Sequence, residues 1–237
     1  IANDSELYDP LSYHYGSVWG LFTGWQSLAA YNYGRQHVGY QALMANSLLT
    51  YTDSLGYVTE LLSGDFNAPF GRSSHHQVWS EAMVVSPVMR GMLGLEISNA
   101  GKTIKFAPNI PADWNDVSVK NIRMADSSVD FSLKRSNGKM TISVSSKNNN
   151  PLQIIIAPTF PLDALVKNVR ANGKKIPFQM KRYGDGQQAE VKFDLTNSAE
   201  IIFEYAEGTD VYQTIPNLVP GAESVGLRVI RSEARQD

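Results

Sequence analysis

The chain has 237 residues and a formal net charge of −2, so it carries no basic footprint for nucleic acid or an anionic membrane surface. It contains no Cys, which excludes disulfides, thiolate metal sites and thiol catalysis and leaves the redox compartment open. No apolar run approaches the roughly 20 residues of a membrane span, and 43% hydrophobic with 19% charged residues suits one large or two modest globular domains.

The first residues, IANDSELYDPLSYHYG, hold neither an initiator Met nor a signal-peptide pattern, and the expectation is a piece of a longer or processed protein. From there the pattern is helical. Val18, Leu21, Phe22, Trp25, Leu28 and Ala29 fall at helical spacing and predict a helix with one buried face, Ser17 as its N-cap and Gly34 just past its end. A second helix is predicted over 36–54, with Val38, Ala42, Ala45 and Leu49 on its face and Gly56 as its stop. A third is predicted over 77–92, with Val78, Ala82, Val85, Met89 and Met92 in one stripe. Pro87 lies inside that stripe and should kink or split the helix, because it lacks a backbone donor and clashes with the preceding turn.

After Leu95 the period changes from 3.6 to 2. Val129, Phe131 and Leu133 alternate with polar residues, as do Met140, Ile142 and Val144, and Asn137-Gly138 between them predicts a type I′ hairpin turn. Residues 152–156 read as a more buried strand, Asn172-Gly173 as a turn, and Val191, Phe193, Leu195 and then 201–205 as further strands. GLRVI at 226–230 reads as an edge strand. Short strands punctuated by turns predict an antiparallel sandwich, with the boundary between the halves at 97/98, beside the pattern-breaking Asn99-Ala-Gly101. Three or four helices are too few to close around a pocket, so their apolar face should be covered by upstream helices or by another chain.

Two stretches carry side chains suited to chemistry. In TELLSGDFNAPFGRSSHHQVWSEAMVV a carboxylate, Glu60, precedes a loop of chain breakers that holds His75 and His76 and ends on Trp79, with Glu81 two residues further on. In YHYGSVW, Tyr13, His14 and Trp19 lie at a loop-to-helix junction, where aromatic faces can stack on sugar rings and polar tips can bond hydroxyls. By position alone Glu60 reads first as a solvated loop carboxylate. The aromatic cluster reads as readily as a cap on the first helix. Adjacent His residues rarely ligate one ion and no His-x₃-His spacing occurs, so no metal is expected; no GxSxG supports a Ser nucleophile.

In this order the two stretches resemble the C-terminal half of the (α/α)6-toroid glycoside hydrolases, the group of glucoamylases and bacterial glycogen-debranching-like enzymes. YHYGSVWGLFTGW is similar to the pocket-lining YHxGxVWP-type segment of debranching-type members, and ELLSGDFNAPFGRSSHHQVWSEA is similar to their segment that runs from a Glu to Trp-Ser-x-Ala. FAPNIPADWNDVSVKNIR is similar to the first strands of the sandwich that follows the toroid. The resemblance implies an α+β multidomain chain, with the last toroid helices over 1–97 and an antiparallel β-sandwich over 98–237. It implies an inverting hydrolase in which Glu60, matching the family's leading Glu, is the general base, with Glu81 as the fallback. It further implies Tyr13, His14, Trp19, His75, His76 and Trp79 around the sugar, with Trp79, Ser80 and Ala82 matching Trp-Ser-x-Ala. His75-His76 stands where other members carry different residues, and the family's general acid lies on an earlier helix outside this sequence. The partners implied are an oligosaccharide or polysaccharide, the upstream part of the same protein, and self-association through the bare helical face, with no cofactor, nucleic acid or membrane. A non-catalytic carbohydrate-binding module and a glycoside phosphorylase are the competing readings.

Overall fold

The structure, a computed structural model, describes residues 1–124, 127–147 and 151–206, together with the backbone of two further strands, β15 (Val211–Thr214) and β16 (Arg228–Arg231). The chain is α+β: three α-helices are followed by large, mainly antiparallel sheets.

A two-residue strand, β1 (Val18–Trp19), leads directly into α1 (Gly20–Asn32), and α2 (Gln36–Leu49) follows after a tight turn. The turn is a Schellman closure. Gly34 adopts φ +69°, its N–H donates to Tyr31 O (2.9 Å), and Arg35 N–H donates to Ala30 O (2.8 Å). A second two-residue strand, β2 (Leu61–Leu62), pairs antiparallel with β1. Helix α3 (Val78–Ser86) then continues as a π-helical turn over Pro87–Met92. Pro87 therefore splits the third helix as expected, since the missing donor and the ring are accommodated by the wider turn. Leu93 N–H reaches back five residues to Val88 O at 2.8 Å.

The faces by which these helices pack differ from the ones that hydrophobic spacing predicts. On α1 the buried residues are Gly20, Gly24, Ser27 and Tyr31, while Phe22 and Trp25 are each 52% exposed. On α2 they are Gly39, Ala42, Leu43, Asn46 and Leu49, with Val38 and Ala45 outside. On α3 only Ser80 is buried. The helices approach through small residues: a Cβ on Gly24 would come within 2.2 Å of Met83 Cβ, and one on Gly20 within 3.3 Å of Ser80 Cβ. The Tyr31 ring fills the space left by Gly39 and Gly91. Asn46, buried at the centre, donates to Gly20 O (2.8 Å) and Met83 O (3.4 Å), tying all three helices. Close packing of backbones thus takes precedence over burial of the largest apolar stripe. Nor is Ser17 the N-cap of α1, which starts after Trp19 without a side-chain cap; Ser17 Oγ instead donates to Tyr13 O.

The sandwich begins with the hairpin β3 (Leu95–Ser98) and β4 (Thr103–Phe106), followed by β5 (Asp116–Met124), β6 (Ser127–Ser136), β7 (Lys139–Ser146), β8 (Leu152–Ile156), β9 (Thr159–Pro161), β10 (Leu165–Ala171), β11 (Lys174–Lys175), β12 (Gln179–Tyr183), β13 (Gly186–Leu195) and β14 (Ser198–Ala206). One sheet has the order β11-β10-β14-β7-β6-β5 and the other β12-β13-β8-β4-β3, with β9 also on β13. All pairs are antiparallel except β4 and β8. That parallel pair was not legible in the alternation, which does not distinguish a parallel from an antiparallel neighbour. The inward faces meet in one core, where Phe106 of one sheet stacks on Phe131 of the other at 4.6 Å. The hairpin at Asn137-Gly138 forms, but only Gly138 has a positive φ (67°), so the turn is not type I′; Asn172 (48°) and Gly173 (79°) do have the I′ pattern. Of GLRVI, residues 226 and 227 lie outside the described residues, and the backbone of 228–230 belongs to β16, paired with β15.

The helices are docked on the sandwich. Tyr183 OH, at the end of β12, donates to Tyr31 O, Asp185 N–H donates to Gly34 O (3.0 Å), and Asn109 Nδ2 donates to Gly91 O (2.9 Å). Tyr31, Leu43, Met92 and Leu93 belong to the same buried cluster as the sandwich core.

Candidate functional site

The pairing of β1 with β2 brings the two chemistry-bearing stretches together. Trp19 lies opposite Leu61 and Val18 opposite Leu62, so Glu60 sits just before the ladder, with the Tyr13–Trp19 cluster across from it. The strand carrying Glu60 is also bonded to the far side of its own loop. Gln77 N–H donates to Val58 O (3.0 Å) and Glu60 N–H donates to Ser74 O (2.8 Å). Ser73 Oγ donates to Leu61 O (2.8 Å) and also accepts from Leu61 N–H (3.2 Å).

Glu60 is only 6% exposed, despite its position at the edge of a loop. A buried carboxylate must be hydrogen-bonded to be tolerated. Here Tyr13 OH donates to Oε1 and Ser74 N–H donates to Oε2 at 3.3 Å. The bond to Glu60, together with burial, raises Tyr13 above the usual tyrosine range and keeps the phenol a neutral donor. An ionised carboxylate accepts at about four lone-pair positions, so two donors leave room for a water or a hydroxyl.

The aromatic cluster is internally braced. Tyr13 meets Trp19 edge-on at 4.8 Å and His14 edge-on at 4.9 Å, while His14 and Trp19 lie near-parallel at 6.4 Å. Trp19 Nε1–H donates to Ser17 Oγ (2.9 Å), which in turn donates to Tyr13 O (2.7 Å). The loops around the site are latched. Tyr8 OH donates to Asp65 Oδ1 (2.7 Å) and Gly64 N–H donates to Pro10 O (3.0 Å). Only glycine fits at Gly64, since a Cβ there would lie 2.3 Å from Gly16 O and 2.4 Å from the Tyr8 hydroxyl oxygen.

The remaining predicted residues are more exposed than Glu60. His75 Nδ1 is 3.4 Å from Asp53 Oδ2, with both side chains mostly exposed. His76 stacks on Tyr57 at 4.1 Å, and its Nε2 is 2.9 Å from Glu81 Oε1. Trp79 is 42% exposed on α3, while Ser80 beside it is buried against Gly20. Glu60 hydrogen-bonds neither the His pair nor Glu81. Among the described residues no three His, Cys, Asp or Glu side chains are grouped so as to hold a metal ion. Sequence reasoning missed Ser17, Ser73, Ser74, Tyr8 and Tyr57; only the Ser73-Ser74 pair, next to the His pair, gave any local signal.

A separate concavity of about 390 Å³ lies on the outer face of the sandwich, lined by Ser118, Ser132, Ser143 and Ser145 with Lys120, Asp130 and Glu200. It holds none of the predicted site residues.

No family model matches the sequence, and no curated protein matches it. Solved structures match at low identity. One is a candidate kojibiose phosphorylase from the human microbiome, at 15% identity and TM-score 0.41, covering 74% of this chain and 19% of that one. Two others are an alpha-L-rhamnosidase from Dictyoglumus thermophilum (12%, TM-score 0.40, 59% and 15%) and one from Streptomyces avermitilis complexed with L-rhamnose (11%, TM-score 0.35, 70% and 14%). The chain thus spans less than a fifth of the length of each of these proteins, and at such TM-scores the likeness decides nothing about its activity.

Proposed function

We propose that this chain is the C-terminal portion of an inverting glycoside hydrolase acting on α-glucan-like or related oligosaccharides, with Glu60 as the general base. The observation that carries the reading is the buried Glu60 carboxylate, held by Tyr13 and Ser74 where the two family-like segments meet. In this reading the helices within residues 1–97 are the closing helices of a six-hairpin toroid, and the sheets that follow them are its sandwich.

Inversion needs two carboxyl groups about 6.5–9.5 Å apart, with a water between the base and the anomeric carbon. Glu60 takes a proton from that water as its oxygen bonds to the anomeric carbon. The glycosidic C–O bond breaks on the opposite side, and the leaving oxygen takes a proton from an acid on a preceding helix. A base in this role contributes about 10²–10⁴-fold. Trp19 and Trp79 offer ring faces to the sugar, and His14, His75 and His76 offer polar tips. Glu81 stands second as a base; its Oε1 lies 2.9 Å from His76 Nε2 but accepts no hydrogen bond.

The test is the anomeric configuration of the first product, read by proton NMR on the complete enzyme. An inverted anomer supports the reading and a retained one refutes it. Turnover that requires inorganic phosphate would favour the phosphorylase alternative. The 237-residue chain alone should be inert, because it lacks the acid; measurable glycosidase turnover by this chain would contradict the assignment.

A further inference from the structure

We propose that Tyr13 is a positioning residue, which aims the Glu60 carboxylate, rather than a wall of the sugar pocket. This rests on the reading of Glu60 as the base and assigns Tyr13 a role that the sequence resemblance does not.

A phenol has one proton to donate, and that of Tyr13 is committed to Glu60 Oε1. The other donor to the carboxylate, Ser74 N–H, is at 3.3 Å, beyond the usual range of a good N–H···O bond. Tyr13 therefore makes the stronger of the two bonds that fix carboxylate rotation. Its own ring is held on two sides and its backbone is tied as well. Trp19 and His14 meet it edge-on, and its carbonyl accepts from Ser17, which is itself bonded by the Trp19 indole. Trp19 in turn is paired through its backbone with Leu61, the residue after Glu60. One short ladder thus anchors the segments that carry the carboxylate and the group that aims it, the kind of support a reacting group needs to stay within a fraction of an ångström of its productive position.

Titratable groups around this pair bear on the pH readout. They are the Tyr13 phenol itself, His14 against its ring, and, on the backbone opposite Glu60, His75 beside Asp53 and His76 beside Glu81.

The experiment replaces Tyr13 by Phe in the complete enzyme, which keeps the ring and its edge contacts and removes only the O–H. The expected result is a fall in kcat of about 10- to 100-fold, KM within about twofold, and an acid limb of the kcat/KM profile moved upward. The upward shift follows because a hydrogen bond to the charged form favours it, and this bond is lost. A raised KM with kcat preserved would show a sugar contact and overturn the proposal, as would unchanged kcat, KM and acid limb. If the Phe variant does not fold, 3-fluorotyrosine at position 13 serves. Its more acidic O–H strengthens the bond and should move the acid limb downward, and an unmoved limb overturns the proposal. Glu60→Gln separates the two levels. Retained turnover in that variant removes the base and both readings with it. Lost turnover, with a silent Tyr13→Phe, removes only the positioning role.

Discussion

Gly34→Ala is expected to undo the docking of the helices on the sandwich. Gly34 has φ +69°, and a Cβ built there would lie 2.5 Å from Tyr183 O and 2.7 Å from Gly184 N. An ordinary C···O contact is about 3.3 Å, so the hairpin at Tyr183–Asp185 would have to withdraw by nearly an ångström, straining the Asp185 N–H bond to Gly34 O. The left-handed backbone costs an alanine about 1–2 kcal/mol and overpacking adds about 1–3 kcal/mol. At about 2–4 °C per kcal/mol for a chain of this size, the melting midpoint should fall by roughly 4–20 °C. Gly56→Ala is the internal control, because Gly56 also has a positive φ (+88°) but nothing within 4 Å of its would-be Cβ. It bears only the backbone strain, partly offset by about 0.4–1 kcal/mol of unfolded-state entropy. Thermal unfolding of the three proteins, followed by circular dichroism, decides the matter. If Gly34→Ala loses no more than Gly56→Ala, the contact with the hairpin contributes nothing and the docking argument is wrong.

Asn46→Ala should destabilise the chain by about 1–3 kcal/mol, because it removes the bridge from α2 to the backbone of α1 and α3 in a buried site; denaturant titration measures this. Tyr31→Phe should be neutral or stabilising, since the buried Tyr31 hydroxyl has no hydrogen-bond partner. The same substitution should flatten the loss of stability at alkaline pH. Burial raises Tyr31 above its ordinary value of about 10, so its contribution is complete below pH ~10 and is lost as pH rises above that, where the unfolded chain releases its proton first. Unfolding midpoints between pH 8 and 11 test the sign. Trp25→Glu should change stability by less than about 0.5 kcal/mol, as a surface substitution does, yet reduce any concentration-dependent association of the isolated chain in sedimentation experiments. A large loss of stability would show that the exposed α1 stripe is internal packing after all.

Much of this was legible in the residues. Gly34 reads correctly as the end of α1 because only a residue tolerant of φ > 0 closes a Schellman turn, and Pro87 reads correctly as the point where the third helix divides. The hairpin at 137–138 and the alternation along β6, β7 and β13 follow from period-2 burial between two facing sheets. The helix faces were not legible. Spacing finds the largest apolar side chains, whereas α1 packs through Gly20, Gly24 and Ser27, and Phe22 and Trp25 remain outside. The β1–β2 ladder was invisible because two residues carry no period, although it is what joins Tyr13 and Trp19 to Glu60. The turn type at Asn137-Gly138 depended on the φ of Asn137, which composition does not set. Glu60 illustrates both sides: a lone loop carboxylate reads as solvated, and it is the tertiary bonds from Tyr13 and Ser74 that make it a buried, directed acceptor.

The most direct test of the proposed function is glycoside turnover by the full-length protein with Glu60→Gln, alongside the affinity of that variant for an oligosaccharide. Gln keeps the shape and can still accept from Tyr13 through its one oxygen, but its NH2 cannot accept from Ser74 N–H, and it cannot take a proton from water. The account predicts that kcat falls by about 10²–10⁴-fold while sugar affinity stays near that of the parent. A kcat within a few-fold of the parent would contradict it and return Glu60 to a structural role.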